Sequence, residues 1–244
     1  LKRALIEASP GRYVRSLPGT ESVQAEASEF VVQNAAFLTN RFNSILGEPV
    51  ECDGDSPLLA IARHVQEDLA VMSPDATAGY PLVAGVVCFP SGWCVGDKIG
   101  KSLLCIHDPV PEFESVLNDP TQRLMQRLKP GRPVWRMNWG VRPSGMLDQS
   151  PVHAASLSRA RREITASNAG HRCFFRVERQ TLARLPLSGH VLFTIHTHQC
   201  RLEQLEDRQR RMLLGVIESC PEETLAYKGI LPMREAISQS LAGV

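Results

Sequence analysis

The chain has 244 residues and a mass of 27.0 kDa, room for one large domain or two small ones, each with its own core. Its 43% apolar and 22% charged fractions are those of an ordinary globular protein. Lys+Arg 27 against Asp+Glu 26 leaves a net charge of +1, which argues against nucleic acid as the main partner, because neutralising phosphates takes a basic excess. No apolar run approaches the ~18 residues of a membrane span, so no membrane association is expected. Seven cysteines, an odd number, occur with no Cys-x-x-Cys pair. That excludes a fully paired disulfide framework and a paired zinc ribbon. Reduced thiols and an opening segment without a signal-peptide core predict a cytoplasmic location. The chain opens on Leu1 and not Met, as a piece of a longer protein would.

Residues 1–20 are broken by Pro10-Gly11 and Pro18-Gly19, which read as turns. Thr20 caps an expected helix running to about Leu46, with Val23, Ala27, Phe30, Val31, Leu38, Phe42 and Ile45 at helical spacing. Ser56-Pro57 opens a second helix, whose buried side would hold Leu58, Ala62, Val65 and Leu69. Leu82–Phe89 is nearly all apolar and predicts a central strand. Gly92–Gly100 reads as a turn with a short helix, and Leu103–Ile106 is an apolar segment that stops at Asp108-Pro109. Residues 112–129 read as helical, limited by Pro120. Pro133–Val141, Cys173–Gln180 and His190–His198 read as strands, the first two by alternation. Between the first two, Arg142–Gly170 reads as a long loop with a short helix. Glu203–Ser219 and Glu222–Leu241 predict two closing helices. Helices, antiparallel-type strands and then helices make an α+β plan. We divide it into an N-terminal helical segment over 1–50 and a single globular unit over 51–244.

Four groups of residues invite chemistry. His107, in Ile-His-Asp-Pro-Val-Pro, ends an apolar segment on a proline-stiffened turn. That suits a heme or other metal ligand, and equally a half-buried His bonded to a turn carbonyl. His196 and His198 share one face of a strand and can meet one metal with Cys200 or Glu203. The alternative is a polar solvent face opposite Ile195. Arg176, Glu178 and Gln180 fall on one strand face, as do Arg136 and Asn138 on another strand. Together they can hold a carboxylate or an amine, or form a surface ladder of charges. Glu67-Asp68 reads as a solvated pair at a helix end, because adjacent helix residues do not face each other. Cys88 and Cys105 read as small core residues inside apolar strands. No glycine-rich nucleotide loop, Gly-x-Ser-x-Gly or Walker-type loop is present.

Taken in order, Val65-Gln-Glu-Asp-Leu69, Ala84-Gly-Val-Val-Cys-Phe-Pro-Ser91, Trp93, Lys98-Ile-Gly100 and Ile106-His-Asp-Pro-Val-Pro111 form a pattern. It continues through Arg132-Pro-Val-Trp-Arg-Met-Asn-Trp139, Arg176-Val-Glu-Arg-Gln-Thr-Leu182, Leu185-Pro186, Ser188-Gly189, Val191-Leu-Phe-Thr-Ile195 and Ala226-Tyr-Lys-Gly229. Over roughly residues 55–235 it resembles the heme-dependent oxidative N-demethylase family, which includes the heme subunit of bacterial dimethylamine monooxygenase and the fungal HRQ family proteins. The resemblance implies a PAS-like antiparallel sheet with flanking N- and C-terminal helices, binding heme b. It implies a monooxygenase that oxidises the carbon next to nitrogen in a small amine or amine-bearing metabolite, consuming molecular oxygen and releasing formaldehyde. Electrons would come from NADPH or NADH through a separate flavin/iron-sulfur reductase, and the missing nucleotide loop agrees with that division. Carried over by residue, His107 is the heme iron ligand, and Arg136, Arg176 and Arg179 bind the cofactor's propionates or a carboxylated substrate. Glu178 takes the catalytic part, steadying a substrate ammonium or delivering protons. Two other readings stay open: a non-catalytic heme-binding PAS-like sensor, and a non-heme metalloenzyme built on His196 and His198.

Overall fold

The computed structural model describes residues 1–34 and 56–243. Strands β1 (Val14–Ser16), β2 (Asp68–Met72), β3 (Leu82–Val86), β4 (Val134–Arg142), β5 (Phe174–Arg184) and β6 (Val191–Arg201) form one sheet in the order β1-β3-β2-β6-β5-β4. Every neighbouring pair is antiparallel, and the α+β plan of the sequence is what the chain adopts. The two 11-residue strands β5 and β6 form a hairpin closed between Leu185 and His190, whose backbone groups bond at 2.8 Å. Gly189, at φ 70°, takes the left-handed turn there, which is why the loop carries glycine.

Each face of the sheet is covered differently. Helices α1 (Lys2–Ala8), α2 (Pro10–Tyr13), α3 (Glu21–Gln33) and α4 (Pro57–Ala62) pack Ile6, Tyr13, Val23, Ala27 and Ile61 against Leu69, Val71, Ala84 and Val86. On the opposite face, α5 (Leu103–His107) and α6 (Asn118–Arg127) bury Leu103 and Met125 against Ala70, Met72 and Val191. Helices α7 (Ala154–Arg162) and α8 (Ala166–Arg172) fill the β4–β5 connection. Helices α9 (Asp207–Ser219), α10 (Glu222–Tyr227) and α11 (Arg234–Ala242) close the chain, with Leu213, Ile217, Leu225 and Ile237 packed on Val141 and Phe175. Val141 and Phe175 pair in register and share a face with Leu69, so N-terminal and C-terminal helices cover the two ends of one face. Among the described residues, no helix is long and apolar enough to cross a membrane.

Several expectations are corrected. The helix opened by Ser56 is capped as read, its hydroxyl accepting from Leu59 N, but it ends at Ala62. Leu69 lies in β2, and Glu67 and Asp68 are both 1% exposed, not a solvated helix end. The apolar spacing of 58, 62, 65 and 69 imitates a helix face, whereas β2 is buried on both sides and shows no alternation. Leu103–Ile106 is helical: Ser102 caps α5 by accepting from Cys105 N, and Cys105 is exposed. Arg142–Gly170 holds two helices, not one, and the expected Glu222–Leu241 helix is two, separated by a 3-10 turn at Leu231–Met233. Pro10 opens α2 at its first position, where its missing N–H costs nothing. The helix expected from Thr20 to Leu46 is Glu21–Gln33, ended by Asn34; residues 35–46 of that expectation, and Cys52, lie outside the described residues.

Candidate functional site

The period of two on β4, β5 and β6 gathers polar side chains on one sheet face. The register sets Asn138 opposite Glu178 and Glu178 opposite Thr197, with Arg136 opposite Gln180 and Gly140 opposite Arg176. Two loops lie over this patch. The segment after β3 and the segment after β4 are joined by Gly92 N to Gln149 O at 2.9 Å and Gln149 N to Pro90 O at 3.2 Å.

Glu178 is 7% exposed and is the hub of the patch. Its Oε1 accepts from Ser91 Oγ at 2.8 Å, and its Oε2 from Asn138 Nδ2 at 3.2 Å and Gln180 Nε2 at 3.1 Å. Both amides are themselves held by cations. Arg136 Nε donates to Gln180 Oε1 at 2.8 Å, and Lys228 Nζ donates to Asn138 Oδ1 at 3.2 Å. Each amide thus passes a cation's polarisation on to the same carboxyl group.

Arg176, 1% exposed, is fixed at both ends of its guanidinium. It donates to Leu147 O at 2.9 Å, to Phe89 O, and to Thr197 Oγ1 at 3.4 Å, with Nε 3.6 Å from Glu178 Oε1. Burial, the largest influence, lowers its pKa, opposed by the Glu178 and Asp68 charges. Asp68 receives the N–H groups of Cys88 at 2.9 Å and Phe89 at 2.7 Å. Lys2 Nζ, 3.7 Å from Asp68 Oδ1, also donates to Glu67 O. The loop that offers Phe89 O to Arg176 is therefore held from behind by a buried acid and an N-terminal lysine. Sequence reading missed this support, because Lys2 and Asp68 are far apart in the chain and Asp68 sits in a strand that reads as helix.

His107 closes α5. Leu103 and the half-buried Ile106 of that helix share one apolar cluster with Val134, Leu182 and Phe193, which belong to the same sheet face as Arg136 and Gln180. The imidazole stacks on Phe113, centroids 4.3 Å apart and planes 7° from parallel. Its Nδ1 lies 2.8 Å from Leu103 O. A carbonyl only accepts, so Nδ1 carries a proton, and in the neutral ring Nε2 then keeps its lone pair. Burial pushes the His107 pKa down, the Leu103 bond partly restores it, and the Arg136 and Lys98 charges lower it further. A neutral imidazole whose Nδ1–H is held by a backbone carbonyl is the form that ligates iron through Nε2. The donor set thus fits a heme ligand.

The remaining candidates lie elsewhere. Arg179 pairs in register with His196 and Met137, on the sheet face opposite Arg176 and Glu178, so the three arginines do not converge. His196 is 9% exposed and not on a solvent face, because its Nδ1 meets buried Glu67 Oε1 at 2.7 Å. Only His198 is exposed; the two rings lie 4.2 Å apart. Among the described residues, no group of three His, Cys, Asp or Glu side chains is placed to hold a metal ion.

The fold and this patch define an α+β protein with a buried carboxyl–guanidinium pair on its sheet and a neutral histidine on the helix above. A family model described as heme-dependent oxidative N-demethylase, alpha subunit-like, matches residues 1–238. The chain belongs to that family, whose name points to heme-dependent oxidoreductase chemistry and to a partner subunit.

Proposed function

We propose that this chain binds heme b through His107 Nε2 and removes a methyl group oxidatively from a small amine or amine-bearing metabolite. The observation that carries the reading is the His107 Nδ1 bond to Leu103 O, 2.8 Å, which leaves the other ring nitrogen to ligate. The cofactor, when bound, supplies the oxygen chemistry. The chain's residues bind, orient and handle protons. Phe113 holds the imidazole plane by stacking, and Arg136, which also steadies Gln180, meets a propionate. Glu178, oriented by Ser91, Asn138 and Gln180, faces the substrate nitrogen as its anionic neighbour or passes protons through the Ser91 hydroxyl. Arg176 and the two joined loops keep water from that carboxyl group.

The overall change balances as follows. One oxygen atom of O2 enters the C–H bond of the N-methyl group and the other leaves as water. Two electrons and two protons are consumed, and the resulting N–CH2OH loses formaldehyde to give the demethylated amine. In this reading the two electrons arrive from a flavin/iron-sulfur reductase drawing on NADPH or NADH, a partner that the alpha subunit-like family description supports. The six described cysteines are free thiols, which fits a reducing, cytoplasmic setting.

The test is a screen of N-methylated amines with heme-loaded protein and a generic reductase, reading formaldehyde release. Formaldehyde formation that needs the reductase and is lost in Glu178→Gln supports the reading. Iron reduction at a useful rate by NADPH without any reductase overturns the division of labour, and no formaldehyde from any N-methylated amine overturns the activity.

A further inference from the structure

Three cationic residues come together in the chain's packing around the end of β4. Arg142 ends that strand, Arg161 stands in the last turn of α7, and Lys228 follows α10. Arg142 Nη1 donates to Lys228 O at 2.9 Å. Arg161 lies flat against the next residue: its Nη2, Nε and Cζ are 3.0, 3.1 and 3.2 Å from where a Cβ on Gly229 would stand. Gly229, at φ +67°, is glycine for both reasons, the backbone conformation and the guanidinium packed on it. Lys228 Nζ points back to β4, 2.8 Å from Trp139 O and 4.9 Å from the centre of the Trp139 ring.

The charges here do not balance. None of the ion pairs among the described residues includes Arg142, Arg161 or Lys228. The carboxylate whose charge reaches Arg142 and Lys228 is Glu178, already engaged by Ser91, Asn138 and Gln180. The Nε of Arg142 and the Nε of Arg161 are both buried with no hydrogen-bond partner. Arg142 is held down to about 10, by burial first and then by the Arg176 and Arg161 charges. Buried guanidinium donors without an acceptor are costly, and the group that relieves them is an oxyanion matching the planar fork.

We propose that the Arg142 and Arg161 guanidinium groups form an oxyanion-binding site for a carboxylate or phosphate group, beside the Lys228 ammonium that is already held by Asn138 and Trp139. The site stands on this geometry alone, whatever the chain's cofactor. The oxyanion comes either from a propionate of a bound heme or from a free anion in solution, and the experiment separates the two.

Inorganic phosphate is titrated into the purified full chain by calorimetry, at constant ionic strength in chloride. Saturable binding is expected, about tenfold or more weaker in Arg142→Gln and Arg161→Gln and unchanged in the exposed control Arg208→Gln. Weaker phosphate binding in heme-loaded than in heme-free protein assigns the site to a propionate; equal binding assigns it to a free anion. Arg161→Glu tests the charge imbalance even where an Arg142 variant fails to fold. By placing a carboxylate among the cations it should abolish phosphate binding and raise the thermal unfolding midpoint in phosphate-free buffer. Absence of saturable binding in both forms, equal binding in all variants, or a lowered midpoint in Arg161→Glu overturns the proposal.

Discussion

Arg176 Nε and Glu178 Oε1 stand 3.6 Å apart on one strand, with the two side chains 1% and 9% exposed. Arg176 keeps its carbonyl acceptors, Leu147 O and Phe89 O, when the acid is removed, but loses the carboxylate with the largest hold on it, with the weaker Asp68 charge left behind. Glu178→Leu should therefore cost ~3–5 kcal/mol, the usual penalty for leaving one member of a buried pair alone. The double variant Arg176→Met/Glu178→Leu should recover a large part of it. Urea unfolding of the four proteins in this cycle measures the coupling; costs that simply add would show that the two groups do not sense each other.

His107 gives a pH dependence with a definite sign. Its folded pKa lies below the ordinary 6.5, mainly through burial. Between the two values the unfolded chain binds more protons than the folded one, so stability rises with pH there. The contribution is complete above pH 6.5 and is lost as pH falls through that value toward the lower folded pKa. His64 and His190 are shifted the same way and add to the slope. The unfolding midpoint of His107→Leu should thus fall less between pH 7.5 and pH 5.5 than that of the parent. Equal slopes would contradict a depressed His107.

Lys2 and Asp68 predict a different pH response. Burial raises the Asp68 pKa, and the Lys2 charge opposes that rise. Lys2→Met removes the opposing charge and leaves a carboxylate buried on two backbone N–H groups. For an acid whose folded pKa is raised, the ionised form is the penalised one, so the penalty is largest above the folded pKa and fades as pH falls through it. Lys2→Met should lose ~3 kcal/mol or more near pH 7.5, and progressively less as the pH is lowered toward the ordinary carboxyl range, read by urea unfolding across that span. A loss independent of pH would mean that Lys2 contributes through packing alone.

Part of this site is readable in the sequence. Alternation over Arg176, Glu178 and Gln180, and over Arg136 and Asn138, already puts each set on one strand face. The register that sets Asn138 against Glu178, and the loop that brings Ser91 to it, come from tertiary pairing that no local pattern encodes. Arg179 shows the converse. An odd-numbered neighbour of Glu178 must lie on the other face, so its grouping with Arg176 rests on motif likeness and not on strand geometry. Strand β2 was hidden because five residues buried on both faces carry no period to read. Lys228 stood in a recognised motif, Ala226-Tyr-Lys-Gly229, yet its tie to Asn138 crosses from a helix end to a strand 90 residues earlier.

The central claim is that His107 holds the heme iron, and optical spectroscopy of the heme-reconstituted protein tests it most directly. His107→Ala should lose heme or shift the Soret band and spin state. The His196→Ala/His198→Ala double variant, altered on the opposite sheet face beside Glu67, should keep the parent spectrum and heme content. A His107→Ala protein with unchanged Soret position, spin state and heme stoichiometry would contradict the account.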